Sequence, residues 1–234
     1  MQAVIMAAGF GRRLGSLTES QPKSLLKLNN ETLIERAIRQ LNERGVHEIH
    51  VVTGFQNDVM RKKLAELAQC HFNPLYYCTN VLASFAVVMP YIHSDFIFLH
   101  ADTVVDPEIV DELVGSSSDV VLPIDYGDVD EEAMKVIVNS NGHVSQISKE
   151  IQISEASGEF IGMAKISKDV FPSLEDAVMC ELKDKKLVQS YFEGALQNLI
   201  DRGAIFEALD ISELNWSEID FEEDYVIAKN LFES

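Results

Sequence analysis

The chain has 234 residues, of which 38 are acidic and 19 basic, so its formal net charge at pH 7 is −19. Hydrophobic residues make up 47% of it, which is typical of a folded protein with a sizeable core and excludes an intrinsically disordered chain. The acidic balance argues against a general nucleic-acid binder and against adhesion to anionic membranes, because both of those surfaces carry negative charge.

The first half of the chain alternates apolar runs of strand length with segments of helical period. Strands are predicted at residues 4–6, 48–53, 75–78, 96–99 and 120–124. Helices are predicted at residues 32–44, 57–67 and 107–113, the first of them stopped by Gly45 and the last opened by Pro107. This alternation predicts an α/β fold with a Rossmann-like, mostly parallel sheet and helices on both faces.

The rhythm changes in the second half. Residues 134–138 and 144–148 predict a β-hairpin around Asn141-Gly142, a pair that suits a type I′ turn. The remaining predicted elements are a strand at 160–166, a helix at 188–201, a strand at 205–209 and a helix at 221–232. We therefore expect one domain over residues 1–234, in which a smaller inserted α+β portion at 126–234 completes a pocket over residues 1–125.

Three scattered cysteines predict reduced thiols rather than a disulfide framework or a zinc site. The N-terminal segment lacks the pattern of a secretory signal, and no run approaches the roughly 20 apolar residues of a membrane helix. We therefore expect a cytoplasmic protein with neither a membrane nor a nucleic-acid partner.

A glycine-rich segment, residues 6–14 (Met-Ala-Ala-Gly-Phe-Gly-Arg-Arg-Leu), starts where the first predicted strand ends. Ligands of open α/β sheets bind at the carboxyl ends of strands, and glycines let backbone N–H groups approach an anion closely. The segment is not a dinucleotide fingerprint, because Leu14 stands where the third glycine belongs, and it is not a P-loop. Residues 1–27 carry four basic residues against one acid, which favours a polyphosphate ligand in this acidic chain.

The spacing of this segment with Thr18 and with Pro22-Lys23 resembles the signature of the nucleotidyltransferases that join a nucleoside triphosphate to a small phosphorylated molecule. The resemblance implies that Arg13 contacts the triphosphate and Lys23 contacts the reacting phosphates, both as catalytic residues. It also implies a nucleotide-binding half at residues 1–125, with nucleotide contacts from Ala7, Ala8, Gly9, Gly11, Asn80 and Ser84. For Asn80 and Ser84 the alternative is the N-terminus of a helix with Ser84 near the cap.

An acidic residue, Asp102, comes just after the continuously apolar strand predicted at 96–99, where its carboxylate would face the crevice. Magnesium prefers oxygen ligands and is commonly held by one or two carboxylates together with substrate phosphates. The resemblance implies that Asp102 and Asp220 hold Mg²⁺, the one cofactor expected. The alternatives are a turn or helix cap for Asp102 and the cap of the last helix for Asp220. His100 is interpreted as a packed residue without a role in the site.

The second half, residues 126–234, resembles the acceptor-binding half of the cytidylyltransferases of phosphocholine and of aminoethylphosphonate. Such acceptors carry a phosphate or phosphonate at one end and a cationic nitrogen at the other. With such an acceptor, Lys135 would meet the anionic end. Glu159 or Glu193, together with an aromatic such as Tyr191, Phe192 or Trp216, would hold the cation by charge and cation–π contact. Ordinary structural roles are the alternative for each of them.

The resemblance therefore implies a magnesium-dependent enzyme that moves CMP from CTP onto a small amine-bearing phosphate or phosphonate and releases pyrophosphate. One alternative is a sugar-1-phosphate nucleotidylyltransferase using UTP, dTTP or GTP. It is disfavoured because that branch carries glycine where this chain has Ala101, and Arg-Pro where this chain has Gly15-Ser16. Another is a non-catalytic nucleotide-sensing domain. A glycosyltransferase would need an Asp-x-Asp motif, and the spacing of Asp102 and Asp106 does not match it. The base, the acceptor and assembly as a homodimer stay open.

Overall fold

The computed structural model describes residues 1–183 and 191–233. The strands of this part of the chain are β1 Gln2–Ala7, β2 Lys27–Leu28, β3 Glu31–Thr32, β4 Glu48–Thr53, β5 Gln69–Phe72, β6 Phe96–His100, β7 Thr103–Val105, β8 Val120–Asp125, β9 Lys135–Val138, β10 Val144–Ser148, β11 Gly158–Phe160, β12 Met163–Ile166, β13 Glu207–Asp210 and β14 Trp216–Glu218. Its helices are α1 Leu33–Glu43, α2 Asn57–Leu64, α3 Val81–Val88, α4 Pro107–Gly115, α5 Phe171–Lys183, α6 Phe192–Asp201 and α7 Glu222–Phe232. No helix within the described ranges is long and apolar enough to cross a membrane.

Ten of the strands form one sheet in the order β10-β9-β11-β8-β12-β6-β1-β4-β5, with β13 also paired to β8. The sheet is parallel around β1, which lies between β4 and β6, and β5 extends it in parallel. Beyond β6 the neighbours β12, β8, β11, β9 and β10 run antiparallel to one another. The α/β class with a Rossmann-like sheet is therefore confirmed, and the antiparallel part of the sheet comes from the second half of the chain.

Helices cover both faces of the sheet because its central strands are apolar on both sides. Val4 and Met6 of β1 face a core with α3, α5 and α6, whereas the alternate residues Ala3 and Ile5 face a core with α1, α2 and α4. A third, smaller core joins the chain after the glycine-rich segment to α7 through Leu14, Leu26, Ile219 and Phe232. This third core places the end of the chain beside the loop that follows β1.

Helix α1 begins where the sequence predicts it, for a reason visible in its first turn. The Thr32 side chain accepts a hydrogen bond from the Glu35 N–H, and the Glu35 carboxylate accepts one from the Thr32 N–H, which is a capping box. Apolar residues at helical spacing then face the core, and Gly45 follows with a positive φ of 79°. The predicted helix 32–44 is therefore confirmed, with ends one residue inside the prediction.

The strand predicted at 75–78 is wrong. The third parallel strand is β5, Gln69–Phe72, and the chain turns after it, with the Asn73 side chain accepting from the Leu75 N–H. Its polar edge sequence, Gln-Cys-His-Phe, gives no apolar run to detect, while Leu75 and Tyr77 are apolar yet exposed. Helices α3 and α5 and the pairs β2–β3 and β7–β14 were not predicted either.

Three further expectations need refinement. The strand predicted at 160–166 is divided into β11 and β12, because Gly162 between them has a φ of 77° that breaks the extended backbone. The hairpin of β9 and β10 is confirmed, but of Asn141-Gly142 only Gly142 has a positive φ, so the turn is not type I′. Of the helix predicted at 188–201, residues 192–201 form α6, and residues 188–190 lie outside the described residues.

Two histidines meet at the sheet between β4 and β5. His50 is buried and its Nδ1 lies 2.9 Å from His71 Nε2, while Gln2 Nε2 lies 3.0 Å from His50 Nε2. Burial, together with the neighbouring His50, lowers the pKa of His71 to about 4, and burial also lowers the pKa of His50. Both rings are therefore neutral in the folded protein at pH values where an unfolded histidine takes up a proton.

We predict that stability falls as the pH decreases from about 6.5 towards 4, because the unfolded state then binds protons that the folded His71 does not. His71→Gln should show a smaller fall in the free energy of unfolding between about pH 7 and pH 5 than the unchanged protein does, measured by urea denaturation. Replacing the exposed His47 by Gln is the control and should leave the fall as it is. An equal fall in all three proteins would contradict the prediction.

Candidate active site

A cleft of about 700 Å³ opens at the carboxyl ends of β1 and β6, where ligands of open α/β sheets bind. One wall is the glycine-rich segment after β1, with Gly9, Gly11 and Arg13. The other walls come from the second half of the chain, through β11, the start of α6 and the segment after β14. Residues far apart in the sequence therefore line one concave site.

The loop after β1 depends on the backbone of Gly11, which has a φ of 64°. Its carbonyl accepts a hydrogen bond from Thr18 Oγ1 at 2.7 Å. A Cβ atom at this position would stand 2.9 Å from the Cβ of Lys23, so the loop packs directly against that lysine. Glycine is needed here both for the positive φ and for the close approach, and the spacing of Gly11, Thr18 and Lys23 in the sequence is explained by these contacts.

The ammonium of Lys23 lies between two carboxylates. Its Nζ is 2.7 Å from Asp102 Oδ2 and 2.5 Å from Asp220 Oδ1, and the side chain is only 10% exposed. Burial by itself would lower the pKa of Lys23, but the charges and hydrogen bonds of Asp102 and Asp220 outweigh it and raise this pKa above its ordinary value. Lys23 is therefore a fixed positive charge at the floor of the cleft.

Asp220 reaches this lysine because the end of the chain folds back onto β7. Strand β14 pairs antiparallel with β7, with Glu218 opposite Thr103, and the Ile219 N–H donates to the carbonyl of Asp102 at 3.1 Å. The N–H of Asp220 donates to the carboxylate of Asp224 in the first turn of α7. These backbone contacts hold Asp102 and Asp220 on the two sides of one ammonium.

Arg13 joins the same group from the mouth of the cleft. Its guanidinium is 3.3 Å from Asp220 Oδ2 and 3.9 Å from Glu132, and it stands 5.4 Å from the ring centroid of Phe221. The side chain is about half exposed, so these ion pairs are screened by water and leave Arg13 available to a ligand.

Asp102 lies at the floor, and one of its carboxylate oxygens, Oδ1, is buried with no hydrogen-bond partner in the described ranges. Although burial would raise the pKa of Asp102, Lys23 holds it below its usual range. Ligand atoms of His100, Asp102 and Glu218 lie within 4.8 Å of one another. Burial in the cleft, together with the charges of Asp102 and Asp220, raises the pKa of Glu218 to about 8. Because the cleft is open, Glu218 is nevertheless exposed to solvent.

These residues fit a magnesium ion. Carboxylate oxygens are its preferred ligands, and the Oδ1 of Asp102 is a buried lone-pair donor that no group of the described residues satisfies. Sequence reasoning missed Glu218 and His100 as neighbours of this group. Glu218 stands in the segment that includes Asp220, but it joins Asp102 only through the β7–β14 pairing. His100 gave no signal beyond its position at the end of β6.

Glu159, Glu193 and Tyr191, which the sequence had singled out, also line the cleft, and Lys149 Nζ stands 5.9 Å from the ring centroid of Tyr191. Glu193, in the first turn of α6, is 5% exposed, and its Oε2 has no hydrogen-bond partner among the described residues. Burial, together with Asp130 and Asp125, raises the pKa of Glu159 to about 7. An orphaned buried carboxylate oxygen calls for a donor, and a cationic ligand would supply one.

Lys135 is placed differently from the expectation. It is 1% exposed, and its Nζ donates to the backbone carbonyls of Asp130, Glu131 and Ala133. The ammonium therefore fixes the acidic loop before β9 and does not line the cleft. Its three backbone partners leave it no free direction towards an acceptor phosphate.

Asn80 and Ser84 also lie away from the lining of the cleft. The Asn80 side chain accepts from the Val81 N–H at the start of α3, and Ser84 is buried with its Oγ 2.9 Å from Asn73 Nδ2. These are the structural roles that the sequence left open for both residues. Ala7 lines the cleft, whereas Ala8 is buried behind it, with its carbonyl accepting from the Phe55 N–H.

The parallel sheet, the glycine-rich loop after β1 and a cleft that sets fixed cations against carboxylates define the class of protein as a nucleotidyltransferase. The chain belongs to the MobA-like NTP transferase domain family, which matches residues 3–193. The predicted family is therefore confirmed.

Comparison with individual proteins shows which kinds of nucleotidyltransferase this chain is similar to. The chain is 29% identical over 248 residues to a CTP:phosphoglutamine cytidylyltransferase of Campylobacter jejuni, which covers 96% of this chain and 97% of that one. Over 66 residues, 27% of this chain and 29% of the relative, it is 41% identical to a choline-phosphate cytidylyltransferase of Streptococcus pneumoniae. The fold is similar to that of the inositol-1-phosphate CTP transferase from T. maritima, with a TM-score of 0.82 at 22% identity over 99% of this chain and 94% of that one. The predicted resemblance to cytidylyltransferases is confirmed.

We predict that Gly11→Ala destabilises the protein by about 1–3 kcal/mol, because alanine at a positive φ is strained and its Cβ would press on Lys23. Gly9→Ala is the matched control from the same loop, since a Cβ there meets nothing within 4 Å. It should change the free energy of unfolding by less than about 0.5 kcal/mol. Urea denaturation of both variants tests this, and equal losses of stability would show that the Gly11 backbone is not the constraint.

Proposed function

We propose that this protein is a cytidylyltransferase that moves CMP from CTP onto the phosphate or phosphonate of a small acceptor bearing a cationic nitrogen, with release of pyrophosphate. The observation that carries the proposal is the buried Lys23 ammonium between Asp102 and Asp220, facing the glycine-rich loop in a cleft shared by both halves of the chain. Residues 1–125 would bind the nucleotide, and residues 126–234 the acceptor.

The reaction asks for positioning and charge neutralisation. An oxygen of the acceptor phosphate or phosphonate attacks the α-phosphorus of the nucleotide, a new P–O bond forms, and the bond to pyrophosphate breaks with its electron pair leaving on pyrophosphate. The acceptor oxygen is already ionised at pH 7, so no general base and no covalent nucleophile are needed. Two anions must nevertheless approach each other, and this barrier is lowered by fixed positive charge.

The residues of the cleft match these needs. Backbone N–H groups of the loop at Gly9 and Gly11 can face phosphate oxygens, and Arg13 and Lys23 supply two positive charges next to them. Asp102 and Asp220 would hold Mg²⁺, which when bound neutralises phosphate charge as a Lewis acid. Exposed thiols at Cys78 and Cys180 fit an enzyme of a reducing cytoplasm.

The acceptor end supports a cationic substrate. Glu193 is a buried carboxylate with one unsatisfied oxygen, and Glu159 and Tyr191 stand beside it on the lining of the cleft. An ammonium placed there would donate to Glu193 and would favour ionised Glu159. The similarity to enzymes named for phosphoglutamine and for choline phosphate, both of which carry nitrogen, supports the same class of acceptor.

The test is a screen of pyrophosphate release with CTP, UTP, dTTP, GTP and ATP against phosphocholine, aminoethylphosphonate, phosphoglutamine and glucose 1-phosphate, each with and without Mg²⁺. We expect turnover with CTP and an amine-bearing acceptor, dependent on Mg²⁺. Preference for a sugar phosphate would replace this proposal by the sugar-nucleotide alternative. Binding of nucleotide without turnover of any pair would favour a sensing domain.

We predict that Lys23→Ala lowers kcat by roughly 10²–10³, because it removes positive charge at the reacting phosphates. The variant should still fold, since Asp102 and Asp220 line an open cleft that water can enter. Circular dichroism and a steady-state pyrophosphate assay measure the two effects. The control is Lys62→Ala, which removes an exposed lysine of α2 and should leave the rate unchanged. A fully active Lys23→Ala enzyme would refute the assignment.

We predict that Glu193→Gln raises KM for an amine-bearing acceptor by about 10- to 100-fold, the cost of a charge-assisted hydrogen bond of about 1.5–3 kcal/mol. The KM for CTP should change much less, because Glu193 comes from α6, in the half of the chain that is proposed to bind the acceptor. Glu175→Gln, on the exposed side of α5, is the matched control. An unchanged acceptor KM in Glu193→Gln would remove this residue from the acceptor site.

A further inference from the structure

Cationic side chains already occupy most of the oxygens that a metal ion would use. The ammonium of Lys23 contacts Asp102 Oδ2 and Asp220 Oδ1, and the guanidinium of Arg13 contacts Asp220 Oδ2. Of the four carboxylate oxygens, only Asp102 Oδ1 has no partner in the part of the chain that the structure describes. A divalent ion that binds both aspartates would therefore need at least one oxygen that Lys23 or Arg13 already contacts, and its positive charge would lie next to the Lys23 ammonium.

We propose that Lys23 competes with the divalent ion for Asp102 and Asp220 in the nucleotide-free protein, and that a bound triphosphate ends this competition by giving the ammonium another anion. The inference rests on the proposed role of the two aspartates as metal ligands. Lys23 then has a second role besides neutralising the reacting phosphates, because it opposes binding of the metal ion until the nucleotide is bound.

The competition follows from charge and space. An ammonium and a divalent ion that share one pair of carboxylates would stand about as close as an ion pair, where like charges repel strongly in a partly buried site. The Lys23 side chain is 10% exposed, so its ammonium cannot simply move into bulk water. It leaves the aspartates readily only if another anion replaces them.

The Lys23 side chain can make this movement while its backbone stays in place. The backbone of Lys23 is held in the short 3₁₀ turn Lys23–Leu25, and the Leu26 N–H donates to its carbonyl, so the residue itself stays in place. A lysine carries a compact charge on a flexible four-carbon stem, which lets Nζ swing within the cleft. Gly9 and Gly11, which line the same cleft, mark where the phosphates of a nucleotide would offer new oxygens.

One consequence is positive coupling between metal and nucleotide. Free metal should bind weakly because it must displace the ammonium, and nucleotide should strengthen metal binding beyond its own phosphate contacts. By reciprocity the metal strengthens nucleotide binding by the same factor. The metal would therefore enter the site together with the nucleotide rather than before it.

The test measures Mn²⁺ binding to the full chain without nucleotide, by electron paramagnetic resonance of the free ion. Lys23→Met should bind Mn²⁺ at least about tenfold more tightly than the unchanged protein, a gain of about 1.4 kcal/mol. Lys149→Met removes one positive charge from the lining of the same cleft, where Lys149 pairs with Glu132 and not with the aspartates, and should change the affinity less than about twofold. Adding Asp102→Asn to Lys23→Met should abolish the gain.

A second measurement needs no variant at this position. Lysines of the unchanged protein are acylated and quantified by mass spectrometry, with and without Mn²⁺ at a concentration that saturates binding. Displacement of the ammonium from its two carboxylates should raise the labelling of Lys23 severalfold relative to that of Lys149. Unchanged labelling of Lys23 would overturn the proposal even if Lys23→Met did not fold.

The outcomes separate this inference from the proposed function. Equal Mn²⁺ affinities in the unchanged protein and in Lys23→Met would overturn the competition and leave the metal site and the proposed reaction intact. Absence of Mn²⁺ binding in every variant would overturn both the competition and the metal role of Asp102 and Asp220.

Discussion

The ion pairs between the Lys23 ammonium and the carboxylates of Asp102 and Asp220 are the interaction on which the site depends. They join three parts of the chain that are far apart in sequence: the turn after the glycine-rich loop, the end of β6 and the segment after β14. Each of the three charges is stabilised by its partners, because a partly buried charge costs free energy when it is left unpaired. The arrangement therefore holds the floor of the cleft together in the absence of ligands, and it uses the same groups that the proposed reaction requires.

The sheet explains why these groups meet at one edge. The parallel strands β1, β4 and β6 bring their carboxyl ends to the same side, which places the glycine-rich loop next to Asp102. The antiparallel strands from the second half extend the sheet and add Glu159 beside the same opening. The two halves of the chain therefore line one cleft, and the proposed function assigns the nucleotide to the parallel region of the sheet and the acceptor to the antiparallel region.

Not every charged group near the cleft takes part in it. Lys135 shows that the surroundings of a charged group determine its role. Its ammonium is fully buried and donates to three backbone carbonyls of the acidic loop before β9. Glu193 is the opposite case, since it is buried yet one of its oxygens has no partner within residues 1–183 and 191–233. Residue type alone made Lys135 and Glu193 equally plausible as ligand contacts. Only their hydrogen-bond partners distinguish them, because Lys135 is used within the protein whereas Glu193 can still accept from a donor.

Local sequence was sufficient for the elements with a strong period or a cap, such as α1 with its Thr32 and Glu35 box, and for the loop that contains Gly11 and Lys23. It was insufficient for β5, whose polar edge sequence carries no apolar run, and for β14, which exists only because β7 offers it a partner. The same pairing brings Glu218 beside Asp102, so that part of the site had no local signal to find. Sequence by itself therefore determined which charged residues and which glycine-rich loop the site contains, because these features depend only on near neighbours in the chain. The tertiary structure alone decided which charges face one another, because those distances are set by long-range strand pairing and by the burial of Ile219 and Phe232 in the third core.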